Sequence, residues 1–250
     1  REMSNKYDQR TTTFDPNGRL LQVEYAIQHI NQDGSVVGIL AKDGVVIAAE
    51  KKETSKLFVP TRESGKLYKI DDHILAAVSG VVADANYLID YSRVHCQRHL
   101  YSHCEPIYVE ELVKFLCNEK HQYTQFGSSR PFGVGLMYAG YDKMRGFQLY
   151  HSDPSGNYAS WNAHATGRGC VNAISTLKDD YKSECNLKEA LILAAQVLGK
   201  SMDAATPTAD KFEIGVMQKD EEGKMVQRRV EGAELQKILE EAKVFELNEG

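Results

Sequence analysis

Apolar side chains are nearly absent from the first thirteen residues, and the Asp15-Pro16-Asn17-Gly18 run that follows predicts a turn. From Arg19 the apolar positions Leu20, Val23, Ile27 and Ile30 recur every three or four residues, which places them on one stripe of a short helix that something must cover. The period then shortens. Ser35–Ala41 and Val45–Ala49 are rich in β-branched residues and flank Lys42-Asp43-Gly44, a strong hairpin signal. Leu67–Ile70 and Ile74–Val78, separated by Asp71-Asp72-His73, predict a second strand pair. Helical spacing returns through Val82, Ala85, Ile89 and Cys96, and again through Val109, Leu112, Val113 and Leu116, with Glu110 and Glu111 placed early where the helix dipole favours acids.

A second strand block is predicted at Phe132–Ala139, Gly146–Tyr150 and Tyr158–Thr166, with turns at Gly140-Tyr141-Asp142 and Asp153-Pro154-Ser155-Gly156. Two helices follow: one marked by Val171, Ile174, Leu177 and Tyr181, the next opened by an Asn186…Glu189 capping box. A last strand pair, Phe212–Gln218 and Met225–Arg229, precedes a helix through Leu235, Ile238, Leu239, Ala242 and Phe245. Hairpin-joined strands imply antiparallel sheets, and helix pairs between strand blocks imply that two sheets stack with helices outside them. The expected class is α+β, a layered sandwich without internal repeats or a Pro/Gly/Ser linker to divide it.

Composition narrows the function. Apolar residues at 42% and charged residues at 26% supply an ordinary core and argue against wholesale disorder. A net charge of −5 with no basic run disfavours nucleic acid or an anionic membrane as partner. No apolar stretch approaches the ~20 residues of a spanning helix, and no signal-type segment stands at the N-terminus. Five scattered cysteines without CxxC spacing fit reduced thiols, so a cytoplasmic or nuclear location is expected.

Candidate chemistry is thin. His95, His99 and His103 fall at i, i+4 and i+8, spacing that can hold a transition metal, but no HExxH and no suitably placed carboxylate accompanies them, so an ordinary solvated helix face and no metal are expected. Gly133-Val134-Gly135 and Gly167-Arg168-Gly169 match neither GxGxxG nor a P-loop, GxSxG is absent, and no cofactor is expected.

The segment Tyr7-Asp8-Gln9-Arg10-Thr11-Thr12-Thr13-Phe14-Asp15-Pro16-Asn17-Gly18-Arg19-Leu20-Leu21-Gln22-Val23-Glu24-Tyr25-Ala26 closely resembles the N-terminal signature of proteasome alpha subunits. The resemblance continues through Lys66-Leu67-Tyr68-Lys69-Ile70, Gly80…Asp84-Ala85, Tyr123-Thr124-Gln125-Phe126-Gly127, Arg130-Pro131-Phe132-Gly133 and Asp153-Pro154-Ser155-Gly156, covering essentially the whole chain. Gly146–Tyr150 and Ser152–Tyr158 resemble most the alpha type-4 branch, the third ring position. The resemblance implies the four-layer αββα sandwich of N-terminal-nucleophile hydrolases: a gating arm and turn over 1–18, then a single domain over 19–250 that starts with a ring-packing helix.

It also implies roles. In catalytic beta relatives a processed threonine supplies nucleophile and amine base, assisted by an acid and a lysine. Those positions fall at Gly34, Glu50 and Lys66, so the hydroxyl is missing and 33 residues precede the place where the free amine would be. The implied protein is a non-catalytic subunit of the 20S core particle, serving ubiquitin-dependent and independent protein degradation. Its implied partners are other alpha subunits in a hetero-heptameric ring, the beta ring, regulatory ATPases or other activators, and unfolded substrates in transit. Tyr7, Asp8, Arg10, Pro16 and Tyr25 match the gating cluster, although Gln9 displaces Arg10 by one place from the usual Tyr-Asp-Arg. Lys66 and Gly80 match the pocket that receives an activator's C-terminal carboxylate. The rival readings are an active N-terminal-nucleophile peptidase and a stand-alone binding protein.

Overall fold

A computed structural model describes residues 10–51, 57, 65–127, 129–202, 208–242 and 244. In chain order the elements are α1 (Leu21–Ile30), β1 (Val36–Ala41), β2 (Gly44–Glu50), β3 (Leu67–Asp71), β4 (Ile74–Gly80), α2 (Val82–His103), α3 (Val109–Gln125), β5 (Val134–Asp142), β6 (Gly146–Ser152), β7 (Tyr158–Ser160), β8 (Ala163–Thr166), α4 (Cys170–Asp180), α5 (Leu187–Ser201), β9 (Phe212–Lys219), β10 (Met225–Val230) and α6 (Gly232–Glu241). Two five-stranded sheets form, ordered β10-β9-β2-β1-β8 and β3-β4-β5-β6-β7, with every pairing antiparallel.

Alternation along the strands explains the stacking, because successive side chains point to opposite faces. Val36, Val45, Ile47 and Ala49 join Leu75, Met137 and Leu149 in the layer between the sheets. Their neighbours Val37, Val46 and Ala48 point the other way, onto Ala190, Ala194 and Leu198 of α5. On the far side Tyr68, Ile74 and Tyr138 meet Leu88 and Ile89 of α2 and Leu112 and Leu116 of α3. Both faces of each sheet are therefore buried, each large aliphatic side chain contributing ~1.5–3 kcal/mol, and the predicted αββα order is present. The Asn186/Glu189 capping box opens α5 as predicted. No helix among the described residues is long and apolar enough to cross a membrane.

Three expectations need correction. Tyr158–Thr166 is two strands in different sheets: Trp161 N still donates to Leu149 O (2.8 Å), while Asn162 O already accepts from Leu40 N (2.7 Å). The chain passes between sheets within that dipeptide. Gly140-Tyr141-Asp142 is not a turn but the end of β5, because Gly140 lies under Val109, where a Cβ would come within 2.6 Å of Val109 Cγ2. The turn comes next, where the Asp142 carboxylate accepts from Met144 N (3.0 Å) and Arg145 N (2.8 Å). Val171 is exposed, leaving Ala173 and Leu177 as the buried face of α4. Phe245, assigned to the last helix, lies outside the described residues.

Candidate functional site

The turn before α1 is built by one side chain. Asp15 Oδ1 accepts from Asn17 N (2.9 Å) and Arg19 N (2.8 Å), and Oδ2 from Arg19 Nε (3.2 Å) and Nη2 (3.1 Å). These bonds, the Arg19 backbone N–H foremost, outweigh desolvation and hold the Asp15 carboxyl below its ordinary pKa. Gly18 closes the turn at φ +77°, a conformation that glycine adopts without strain. Pro16 and Arg10 are exposed, and Tyr25 is 43% exposed on α1. Tyr7 and Asp8 lie outside the described residues. Helix α1 buries Leu21, Val23 and Ile30 within the chain, but Leu20 and Ile27 of the predicted stripe are only half covered.

At the other end of α1, ten residues or ~15 Å away, the pocket residues named from sequence do come together. Lys66 stands just before β3 and Gly80 ends β4; both converge on Asp33, which follows α1. Lys66 Nζ donates to Asp33 Oδ2 at 3.0 Å and to Gly34 O at 2.8 Å, and Gly80 N donates to the same Asp33 Oδ2 at 2.8 Å. The ion pair is largely enclosed, with the Lys66 and Asp33 side chains 11% and 16% exposed. Burial alone would raise the Asp33 pKa, but the Lys66 charge and the Gly80 N–H outweigh it and hold the carboxyl below its ordinary value. Gly80 has φ +117°, and a Cβ there would lie 2.2 Å from Gly133 O, so only glycine fits.

Other carboxylates surround this pair. Glu50 Oε2 accepts from Ser35 N (3.0 Å), and Glu213 Oε2 accepts from Lys66 N (2.7 Å). Arg229 Nη1 lies 3.3 Å from Glu213 Oε1. A Cβ at Gly34 would sit 2.8 Å from Lys66 Nζ and 3.1 Å from Glu50 Oε2, so the acid and the lysine of the catalytic pattern face a residue with no hydroxyl to activate.

The histidines of α2 are not a solvated face. The His95 ring stacks on Phe115 at 3.4 Å between centroids, and burial foremost lowers its pKa. His99 Nδ1 lies 3.1 Å from Glu105 O and its Nε2 3.7 Å from Glu111. They pack α2 on α3, and no group of three or more potential metal ligands converges among the described residues.

Sequence reasoning missed Asp33, which an Asp-Gly dipeptide disguises as a turn residue. It also missed Lys120, wholly buried in α3, whose ammonium donates to Ser152 Oγ (3.0 Å) and Val134 O (3.2 Å) while burial pushes its pKa down to about 8. Burial likewise pushes the Cys96 and Cys117 thiols up to about 12 and about 11, outside the range of reactive thiolates.

The family model described as "Proteasome subunit" matches residues 30–217, and the model of the N-terminal signature particular to the alpha-type members of that family matches residues 7–28. This chain belongs to the proteasome subunit family. Among curated relatives, the alpha type-4-1 proteasome subunit of rice (Oryza sativa subsp. indica) and the alpha type-4-A proteasome subunit of Arabidopsis thaliana are each 53% identical over 212 residues, 85% of this chain and 85% of the relative. The alpha type-4 proteasome subunit of Petunia hybrida is 52% identical over the same shares. The N-terminal signature and these relatives place the chain with the proteasome's alpha subunits, the non-catalytic components of its outer ring, and Gly34 supplies the chemical counterpart of that placement. An alpha subunit of the proteasome works in assembly with other proteasome subunits.

Proposed function

We propose that this chain occupies one position of a hetero-heptameric alpha ring stacked on a beta ring, closes the substrate channel with its N-terminal arm, and receives the C-terminal carboxylate of an activator at Lys66 and Gly80. One observation carries the docking half: the Lys66 ammonium and the Gly80 N–H meet on a single carboxylate oxygen, at 3.0 and 2.8 Å. Two donors so arranged form a carboxylate site, and an ammonium makes the stronger, charge-assisted bond. Regulatory ATPases or other activators present such chain ends, and unfolded proteins then pass through the opened channel. The expected setting is the cytoplasm and nucleus, in ubiquitin-dependent and independent degradation.

The gating half rests on Tyr7, Asp8 and Arg10 in the arm and on Pro16 and Tyr25 at the turn and helix that aim it. Pro16 fixes one φ of the turn, and Asp15 holds the turn's shape from inside, leaving the exposed Pro16 and Tyr25 surfaces for a neighbouring arm. The half-covered Leu20 and Ile27 suit contact with the adjoining subunit.

Removing residues 1–8 is expected to raise peptide hydrolysis by the assembled, activator-free particle, and an unchanged basal rate refutes the gate. Lys66→Ala is expected to weaken activator docking at one pocket while the particle sediments normally.

A further inference from the structure

The carboxylate site at Lys66 already holds a carboxylate, and it belongs to this chain. We infer that Asp33 acts as a built-in competitor, so that a chain-end carboxylate enters only when Asp33 gives up Lys66 and Gly80. This inference rests on the docking role proposed for Lys66.

The geometry leaves little room for both anions. Asp33 Oδ2 takes a bond from each of the two donors. The Asp33 backbone cannot retreat with its side chain, since its carbonyl accepts from Arg168 N at 2.8 Å. Only rotation of the side chain frees the ammonium. Charge points the same way: Lys66 is neutralised by Asp33, and Glu50 and Glu213 add negative charge beside it, of which Arg229 offsets one. An incoming carboxylate that left Asp33 in place would bring a further negative charge into a mostly enclosed space, where such repulsion is poorly screened. Because Asp33 is tethered, it competes at millimolar or higher effective concentration. Asp33 therefore selects against weakly held chain ends at this position of the ring.

The test uses assembled core particles containing this chain as wild type, Asp33→Ala, Asp33→Asn or Lys66→Ala. The probe is a short peptide with a photo-reactive side chain, prepared with a free C-terminal carboxylate and as its C-terminal amide; crosslinks to this chain are quantified by mass spectrometry. Asp33→Ala and the isosteric Asp33→Asn are each expected to lower the half-saturating concentration of the carboxylate peptide about tenfold. The amide is expected to be unaffected, and Lys66→Ala to abolish the difference between the two peptides. If both Asp33 variants capture the carboxylate peptide no better than wild type while Lys66→Ala still abolishes capture, Asp33 is not a competitor and the docking role survives. If Lys66→Ala leaves capture unchanged, the docking role itself fails and takes this inference with it.

Discussion

Arg130 grips Asp84 with both arms of its guanidinium, Nη1 to Oδ2 at 2.6 Å and Nη2 to Oδ1 at 2.8 Å, while Gly133 N adds a third bond to Oδ2 at 2.8 Å. This ties the segment leading into β5 to the first turn of α2, where a negative charge also suits the helix dipole. Burial would raise the Asp84 pKa, but Arg130 and the Gly133 N–H hold it low. Asp84→Asn is expected to cost about 1 kcal/mol once screening at the exposed Arg130 end is allowed for. In wild type the same contribution is present above the ordinary carboxylate pKa and is lost as pH falls through the depressed folded value. Urea unfolding of both chains at neutral and acid pH checks this: their difference should shrink on acidification.

Lys120 predicts the opposite end of the pH scale. Its pKa of about 8 lies below the ordinary 10.5, so between those values the unfolded chain binds the extra proton and stability rises with pH. Relative to Lys120→Met, wild type should gain at most about 2 kcal/mol between pH 8 and 9.5. Parallel denaturation curves across that interval measure it, and a flat difference would show that the ammonium is better solvated than its burial implies.

His151 and His164 face each other at 4.6 Å between ring centroids, and burial lowers their pKa values to about 3 and about 4. His151 Nε2 is buried with no hydrogen-bond partner among the described residues. Both rings stay neutral in the fold yet charge in the unfolded chain below about 6.5. Stability should therefore fall as pH drops from about 6.5 toward 4, by up to about 1.4 kcal/mol per unit for each ring. His164→Gln should reduce that slope in a thermal-melt series.

Gly80→Ala combines a positive φ with a clash at 2.2 Å against Gly133 O. A loss of about 3–4 kcal/mol is expected, together with weaker binding of carboxylate peptides, because the Gly80 N–H is displaced. A melting temperature equal to wild type would contradict the strain assigned to this position.

The strand and helix blocks were legible because each face of each sheet is covered, which forces the two periods to be kept strictly. The passage at Trp161–Asn162 was not, since no glycine or proline interrupts the run and only hydrogen bonds to different sheets divide it. Lys66 and Gly80 came from resemblance; no periodicity singles out a lone lysine. Asp33 stayed hidden because its partners lie 33 and 47 residues away. Lys120 stayed hidden because a lysine beside Glu119 looks like any solvated helix position until α3 is laid on β5 and β6.

That passage also governs how the subunit carries load. With Trp161 bonded to one sheet and Asn162 to the other, the layers are stitched by a link with no slack. Sliding or spreading would break backbone bonds before any loop could stretch. A push on either outer helix layer should thus tilt the whole wedge rather than be absorbed within it, as suits one segment of a closed annulus.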